Sequence, residues 1–584
     1  MDRTAWIAVT LCVLGLFAWQ IWTSRQAASR PALATPSPPV TGISATPAAS
    51  AAATVAARPT VTATVAPNAT PLPFAERTET LRNSDVELHF TNRGGGISEA
   101  RLLNYPVKYP AVEGQCVTLN SSEQIPIGAI VDDPATPTLP EYKITREGET
   151  VVLEYVTPEQ VTIRKKFFFA PTNEKKDNFV AELDIDFVNK GATRYANPGY
   201  FLAIGSAAPI HRNEYPTPHL VWLMNGKTKN VDVGWFAGGG GFLGMGQREP
   251  RPYYSQSVGA AEWVAASNQF FTTLFVPLTQ KSDSVWARRF DIDSAQKIYG
   301  LEGAMHLPAF QAEAGQTYTA RFELYLGPKL YHRLARLDHD EADVMEFGFF
   351  KWISLALLYA LNALQTLLRN YVAAILALTT IVKLSLRPLQ NKATASMRQM
   401  SALSPKIQEL REKYKDDPTR MNQESMKLYK QYGINPVGGC LPMLIQIPIF
   451  FGLFTMLRQA VELRGAHFLW IHDLSQPDTL FMIPGLGWIP ILGTPGVGLP
   501  INVLPLIMAA TSFWMTHLTP KSGDPTQQRM MMFMPIIFIV FCYNFAAALA
   551  LYYTAQNLFS ILQLYQNRKQ PMPTLEKLPK RARR

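Results

Sequence analysis

Five long apolar stretches restrict what this chain can fold into more than any other feature of its sequence. The first, residues 4–23, contains 20 residues without a charge. Because an α-helix rises about 1.5 Å per residue, about 20 apolar residues span the hydrocarbon core of a bilayer. The remaining stretches cover residues 371–389, 438–457, 501–518 and 530–565. The sequence therefore predicts an integral membrane protein with helical spans.

The last apolar stretch contains 36 residues, which is nearly twice the length of one span. We therefore predict a hairpin of two spans that turns near Asn544–Ala548. This gives a five-helix core within residues 370–567, with spans at about 370–389, 437–457, 501–518, 530–544 and 547–566. Residues 1–23 are predicted to be an uncleaved N-terminal anchor, and a cleaved signal peptide is the alternative.

The segment between the anchor and the core divides into three parts. Residues 24–73 are rich in Ala, Pro and Thr, which cannot bury a core, and this predicts a disordered linker. Residues 74–335 contain stretches that alternate apolar and polar side chains, such as VTIRKKFFFA and FVAELDIDFVN. This pattern predicts a periplasmic all-β sandwich domain, once the orientation below is considered. Residues 336–369 are predicted to hold an amphipathic interfacial helix or the outer start of a span.

The distribution of Lys and Arg around the spans predicts the orientation of the chain. Nine of these residues lie in the loop after the second span and seven in the tail at residues 568–584, whereas residues 459–500 contain only Arg464. Loops rich in Lys and Arg stay in the cytoplasm. The two termini and residues 391–434 are therefore predicted to be cytoplasmic. The β-domain is then periplasmic, and the protein lies in the bacterial inner membrane.

The basic loop after the second span is predicted to form a helical hairpin at residues 391–434. Apolar residues recur at helical spacing in both halves, and Asp417 followed by Pro418 predicts the N-cap and first residue of the second helix. Its basic side chains include Arg411, Lys413, Lys415, Arg420 and Lys427. Two interpretations stay open: the charges only set the topology, or they form a docking surface for cytoplasmic partners.

Lys383 places a charge inside the second span, which costs on the order of 3 kcal/mol. Snorkelling of its long side chain to the headgroups is one explanation. Thr379, Thr380 and Arg387 stand three or four residues from Lys383 and share its helix face. Polar residues of other spans include Gln446, Thr511, Ser512, Thr516, Tyr552, Tyr553, Thr554, Gln556 and Asn557. Each alone fits helix–helix hydrogen bonding, but together with a cation they predict a water-accessible cavity in the inner leaflet.

Three regions carry long and specific motifs. They are NPVGGCLPMLIQIPIFFGLFTMLRQAVELRGAHFLWIHDLSQPD (435–478), PKIQELREKYKDDPTRMNQESMKLYKQYGINP (405–436), and the pair DPTQQRMMMFMPIIFIVF (524–541) and LALYYTAQNL (549–558). These regions resemble the YidC/Oxa/Alb family of membrane protein insertases, in its Gram-negative form with a large periplasmic domain. The resemblance implies a hydrophilic groove among the core spans that receives nascent membrane proteins. The groove releases them laterally into the membrane, alone or with the Sec translocon.

The resemblance also implies site residues and partners. Lys383 takes the place of a groove arginine, which keeps the charge and loses the planar fork. The predicted groove set is Lys383, Thr379, Thr380, Arg387, Gln446, Tyr552, Tyr553 and Gln556. The expected partners are nascent membrane proteins, the lipid bilayer and the Sec translocon, with the ribosome and targeting machinery on the hairpin and basic tail. We expect that the protein is not an enzyme and that it needs no cofactor, metal or nucleotide.

Apart from Lys383, the sequence departs from the family at two places, and two other functions stay open. The last turn reads Phe545-Ala546-Ala547-Ala548 instead of the frequent Phe-Pro-Ser-Gly, so the turn is less clearly specified. Residues 484–500 look like an extra outer loop before the third core span, at residues 501–518. A secondary transporter with Lys383 as its ion or substrate site predicts inverted repeats, which we do not find. An anchored periplasmic sugar-binding or epimerase protein would have its site in the β-domain.

Overall fold

The computed structural model describes residues 74–568, except residues 213, 215, 239–248, 295, 416, 435–440, 490–491, 495–496 and 520–524. The predicted anchor, the linker and nearly all of the basic tail therefore lie outside the described residues. Strands make up most of the chain from residue 78 to 328, and helices make up most of the chain from residue 331 onward.

The β-rich part contains strands β1 to β20. They are β1 Thr78–Arg82, β2 Val86–Thr91, β3 Gly96–Pro106, β4 Cys116–Leu119, β5 Ile130–Val131, β6 Lys143–Glu147, β7 Thr150–Val156, β8 Val161–Phe169, β9 Val180–Asn189, β10 Tyr195–Asn197, β11 Tyr200–Ala207, β12 His219–Met224, β13 Lys227–Asp232, β14 Tyr254–Ala261, β15 Trp263–Ser267, β16 Phe271–Pro277, β17 Ser282–Asp293, β18 Ile298–Leu307, β19 Phe310–Ala312 and β20 Thr317–Pro328. A further antiparallel pair, β21 Thr479–Ile483 and β22 Leu499–Asn502, lies among the helices.

The strands form one large sheet and several smaller ones, and the pairs are antiparallel. The nine-stranded sheet has the order β13-β12-β15-β16-β20-β9-β8-β7-β6, and the five-stranded sheet has the order β14-β17-β18-β11-β5. Strands β11 and β18 of the smaller sheet pack on β12, β15 and β16 of the larger one. Strands β1 to β4 form a four-stranded sheet, and β10 pairs with β19. The predicted β-rich domain is confirmed.

Strand β8 shows why the alternating pattern folds in this way. Val161, Ile163 and Phe167 lie on its buried face, as expected for side chains two residues apart. Lys165 occupies the same face and is fully buried. Its ammonium donates hydrogen bonds to the carbonyl oxygens of Gly94 (3.0 Å), Gly95 (2.8 Å) and Gly128 (2.9 Å). Three acceptors match the three donors of a lysine ammonium, so the charge is satisfied inside the core.

The turn that supplies two of these acceptors depends on glycine. Gly94 and Gly95 have φ angles of 69° and 60°, in the left-handed region that favours glycine. A side chain at Gly95 would also collide with Tyr142, because a Cβ atom there would lie 2.5 Å from that ring. The ring of Tyr142 packs over the Lys165 ammonium at 4.5 Å.

The helical part contains α1 to α8. They are α1 Tyr331–Leu334, α2 Lys351–Leu368, α3 Tyr371–Lys413, α4 Pro418–Gln431, α5 Leu441–Gln459, α6 Val503–Leu518, α7 Pro525–Cys542 and α8 Ala547–Arg568. Among the described residues, α2 and α3 are long and apolar enough to cross a membrane, and α6 and residues 532–542 are shorter apolar helices. The structure therefore contains helices able to cross a membrane, and α3 begins where the sequence predicts the first core span.

Helix α3 is longer than the span predicted from the sequence. The prediction ends that span at Leu389, whereas the structure continues one helix of 43 residues to Lys413. Its second half and α4 form an antiparallel hairpin. Met400, Leu403 and Ile407 are buried there against residues of the returning segment, including Leu428. The predicted N-cap is confirmed, because the Asp417 carboxylate accepts a hydrogen bond from the backbone N–H of Arg420 at 2.9 Å.

The turn between α7 and α8 lies at residues 543–546 and is held by distant segments. The backbone N–H groups of Ala547 and Ala548 donate to the carbonyl oxygens of Gln476 (2.7 Å) and Leu474 (3.0 Å). The Asn502 amide donates to the carbonyl oxygen of Tyr543 at 2.8 Å. Tertiary hydrogen bonds therefore specify a turn that lacks Pro and Gly.

Arg464 joins the β-rich part to the segment after α5. It is 7% exposed, and its guanidinium donates to the carbonyl oxygens of Pro106 (2.8 Å) and Val107 (3.2 Å). The rings of Phe270 and Phe271 lie 5.5 and 5.2 Å from the guanidinium carbon. The sequence indicates Arg464 only as the single basic residue of an outer loop, whereas the structure gives it a buried connecting role.

The buried Glu214 near this junction predicts a pH-dependent stability. Burial raises the pKa of Glu214 to about 7 from 4.5, while the charge of Arg464 lowers it. The folded protein therefore binds more protons than the unfolded chain between about pH 4.5 and 7, so the free energy of unfolding falls as the pH rises over this range and stays low above pH 7. Glutamine cannot ionise and escapes this loss. From pH 5 to pH 8, we therefore expect the free energy of unfolding of Glu214→Gln to fall by less than that of the native protein, with a difference on the order of 2 kcal/mol. Urea unfolding in mild detergent at both pH values measures this, and identical pH profiles of the two proteins would contradict it.

Candidate functional site

Three polar side chains line one face of α8 within the helical part. Tyr553, Gln556 and Ser560 are spaced three and four residues apart, which places them on one face over about 10 Å of the helix. Helix α8 packs against α3, α5 and α6. A polar face of α8 is thereby directed at neighbouring apolar helices.

Lys383 of α3 meets this face at Ser560. The Lys383 ammonium donates to the Ser560 hydroxyl oxygen at 2.6 Å, and that hydroxyl donates to the carbonyl oxygen of Gln556 at 2.9 Å. Lys383 is half-buried, and among the described residues no carboxylate forms an ion pair with it. The cation is therefore held by a neutral group and keeps its net charge available to an acidic partner.

Gln446 of α5 lies at the other end of the same face. It faces the hydroxyl of Tyr553. Within the described part of the chain, the buried Gln556 Oε1 makes no hydrogen bond, and the buried Tyr553 hydroxyl and Gln446 Nε2 have no partner beyond each other. Because buried polar groups are almost always paired, these atoms mark a place that water or a polar ligand would satisfy. The rings of Phe450 and Phe538 flank Tyr553 at 5.6 and 5.2 Å.

The other residues of the predicted groove set lie elsewhere. Thr379 and Tyr552 are buried in helix packing, and the Thr379 hydroxyl bonds the Ile375 carbonyl oxygen of its own helix at 2.7 Å. Thr380 is half-buried and likewise bonds its own backbone, and Arg387 is exposed. The structure therefore brings together Lys383, Gln446, Tyr553 and Gln556 along α8.

Sequence reasoning missed the role of Ser560, although its spacing of four from Gln556 was a usable signal. A second polar cluster joins α8 to α6. The buried Asn557 amide donates to the hydroxyl oxygens of Thr511 (3.1 Å) and Ser512 (2.8 Å). These three residues satisfy one another, which is the behaviour of helix–helix hydrogen bonding.

The α3–α4 hairpin carries the predicted docking residues on its surface. Lys413, Lys415, Arg420 and Lys427 are exposed, and Arg411 is half-buried. Lys427 pairs with Glu424 at 2.6 Å. A solvent-exposed ion pair of this kind contributes little to stability, so Lys427 can leave Glu424 for a partner at low cost. The other cations named here are accessible to a partner to the extent that they are exposed.

Comparison with known proteins shows which family this chain matches. Residues 79–360 match the family profile described as the YidC periplasmic domain, and residues 363–573 match the family described as the 60Kd inner membrane protein. Membrane protein insertase YidC of Syntrophobacter fumaroxidans (strain DSM 10017 / MPOB) is 35% identical over 425 residues, which cover 71% of this chain and 70% of the relative.

Other known proteins match over different lengths. Membrane protein insertase YidC of Syntrophus aciditrophicus (strain SB) is 38% identical over 53% of this chain and 52% of the relative, so the chain spans about half the length of that relative. A solved structure described as an active YidC insertase with the first transmembrane domain resolved covers 85% of this chain and 94% of its own, with 19% identity and a TM-score of 0.34.

The two family profiles cover adjacent parts of one chain, and they correspond to its β-rich and helical parts. The Syntrophobacter fumaroxidans relative extends the match across the boundary between them. This chain belongs to the YidC family of membrane protein insertases, the relatives of which are inner membrane proteins.

Proposed function

We propose that this chain inserts membrane proteins into the inner membrane through a polar, positively charged groove between α3, α5 and α8. The observation that carries the proposal is the half-buried Lys383, hydrogen-bonded to Ser560 and without a carboxylate partner in the described residues. An uncompensated cation among apolar helices is costly and marks function in membrane proteins.

The groove lowers the cost of moving a polar segment into the membrane. An acidic or polar stretch of a client leaves water for a site that offers the Lys383 charge and the buried polar groups of Gln446, Tyr553 and Gln556. Burying such a stretch without partners would cost several kcal/mol. The client reaches the groove from the cytoplasm, where the chain is made.

The apolar part of the client leaves the groove laterally. Phe451 is exposed, and Phe450 and Phe454 are half-buried on the same helix, so they offer an apolar path toward lipid. Transfer of apolar surface into lipid then drives release, at about 25 cal/mol per Å². No bound nucleotide is required for this step.

The proposed topology follows the positive charges. We place the N-terminal anchor, five core spans, the α3–α4 hairpin and the tail so that both termini are cytoplasmic and the β-domain is periplasmic. Helix α2 lies at the outer interface. Its exposed side carries Trp352 and Tyr359, whereas its Ser354 hydroxyl bonds the carbonyl oxygen of Gly452 on α5 at 2.9 Å.

The basic hairpin is proposed to receive clients from cytoplasmic machinery. Its exposed cations include Lys413, Lys415 and Arg420. They suit an acidic partner such as the ribosome, and the basic tail would add to this attraction. Cooperation with the Sec translocon is proposed for clients with large translocated domains.

Site-specific crosslinking tests the groove. We expect a ribosome-stalled nascent membrane protein to form adducts with photoreactive residues placed at Lys383, Gln446 or Tyr553. A matched probe at Phe513, an exposed apolar position on α6, should give few adducts. Equal adducts at all four positions would show that the client contacts the helices through lipid-facing surfaces, and the groove would be rejected.

A further inference from the structure

The β21–β22 hairpin has a composition that an aqueous loop would not have. Residues 479–502 contain no Asp, Glu, Lys or Arg. This segment lies between α5 and α6 and includes the extra loop at residues 484–500. Surface loops exposed to water are normally rich in polar residues, so an uncharged segment of this length indicates a different surrounding.

The hairpin exposes large apolar side chains. Leu480 is 58% exposed, Phe481 is 54% exposed and Trp488 is 75% exposed, and Met482 is exposed as well. Leu469, just before the hairpin, is 73% exposed. Single exposed apolar residues are ordinary, but a group of them on one short element marks an interaction surface.

The base of the hairpin is rigid, in contrast to its exposed side chains. The Thr479 hydroxyl donates to the Asn502 side-chain oxygen at 2.7 Å. The Tyr543 hydroxyl donates to the carbonyl oxygen of Pro500 at 2.7 Å. The Asp478 carboxylate accepts the backbone N–H of Leu504 at 2.6 Å. The hairpin is therefore fixed to the start of α6 and to the α7–α8 turn.

The apolar surface continues from the hairpin into a membrane helix. Strand β22 ends at Asn502 and α6 begins at Val503. Leu506, Ile507 and Trp514 of α6 are exposed. In an inner membrane protein an apolar helix face of this kind contacts lipid. Because the hairpin surface continues from this helix face, we expect lipid to contact the hairpin as well.

Two physical limits set the depth of the hairpin. A two-stranded ribbon has open edges with unpaired backbone groups, which the hydrocarbon core does not tolerate. Tryptophan is enriched where the headgroups meet the acyl chains. Two exposed tryptophans, Trp488 and Trp470, are therefore expected to lie in that layer. The indole N–H of Trp470 donates to the Asp478 carboxylate at 3.4 Å.

We propose that the β21–β22 hairpin is a lipid-binding element that lies in the interfacial layer of the outer leaflet. Through its rigid base, the hairpin holds the first residues of α6 and of α8 at that depth. The inference rests on the chain's membership of the YidC family and on the proposed orientation, and it is independent of the groove.

Spin labelling of the full chain in phosphatidylethanolamine–phosphatidylglycerol nanodiscs tests this inference. Nitroxides are attached to Phe481→Cys and Trp488→Cys, in a background where the native cysteines are replaced. Both positions are exposed, so neither change removes a core contact. The matched control is Val156→Cys, an apolar position with 60% exposure at the end of β7 in the β-domain.

Oxygen concentrates in lipid and a nickel chelate stays in water, so their collisions with the label distinguish the two surroundings. We expect labels at residues 481 and 488 to collide more with oxygen, and the label at residue 156 to collide more with nickel. Nickel access at both hairpin positions equal to that at residue 156 would overturn the proposal. Shielding from both reagents would also overturn it, and would indicate a protein partner or a second copy of the chain.

Discussion

Replacing Lys383 with alanine will reduce the insertion of clients with acidic translocated segments by about tenfold or more. The change removes a cation that can form charge-assisted hydrogen bonds, each of which is worth about 1.5–3 kcal/mol. A factor of ten corresponds to about 1.4 kcal/mol. The measurement is protease protection of the translocated segment in cells depleted of their native insertase and supplied with the variant.

Three controls separate the charge of Lys383 from its packing. Lys383→Arg keeps the charge and should retain most insertion, whereas Lys383→Met keeps the aliphatic stem and should fail as alanine does. Ser560→Ala removes the hydroxyl that holds the ammonium in the present structure, and it should weaken insertion less than Lys383→Met. Clients with neutral translocated segments should be affected least. Full protection with Lys383→Met would exclude an electrostatic role for this residue.

Replacing Lys165 with methionine will destabilise the β-domain by about 3–5 kcal/mol. Lys165 is completely buried, and without its ammonium the carbonyl oxygens of Gly94, Gly95 and Gly128 lose a buried donor. Methionine fills most of the volume, so the loss reports the hydrogen bonds rather than a cavity. The measurement is the urea midpoint of the full chain in mild detergent, with limited proteolysis of the β-domain as a second readout.

The neighbouring lysine is a matched control for this effect. Lys166 lies on the opposite face of the same strand and pairs with Asp186 at 2.9 Å, with its side chain 33% exposed. Lys166→Met should cost about 0–1 kcal/mol, as is typical for surface ion pairs. Equal destabilisation by the two changes would show that general loss of charge in β8, and not the buried network, determines stability.

The sequence predicts the elements whose signal is local. Apolar length predicts the membrane helices, alternation locates the strands of the β-domain, and Asp417-Pro418 locates the start of α4. Each of these features depends on residues within a few positions of one another. The polar residues Lys383, Gln446, Tyr553 and Gln556 were also recognisable, because each interrupts an apolar helix.

Partners distant in the chain were not predictable in the same way. The hydroxyl that binds Lys383 is 177 residues away in sequence, and the carbonyl oxygens that bind Lys165 are up to 71 residues away. Alternation places Lys165 on the inward face of β8, but a buried charge is only tolerable once these acceptors are present. Their positions follow from the packing of the two sheets.

By itself, the sequence determined where the chain is apolar enough to form membrane helices, where it forms strands and which apolar helices carry polar residues, since hydrophobic length and period act along the chain. Only the tertiary structure decided which charges have partners. It closed the α7–α8 turn through Gln476 and Asn502, buried Arg464 at the junction, and joined Lys383 to Ser560. Hydrogen bonds need atoms about 3 Å apart, and only folding brings distant segments to that distance.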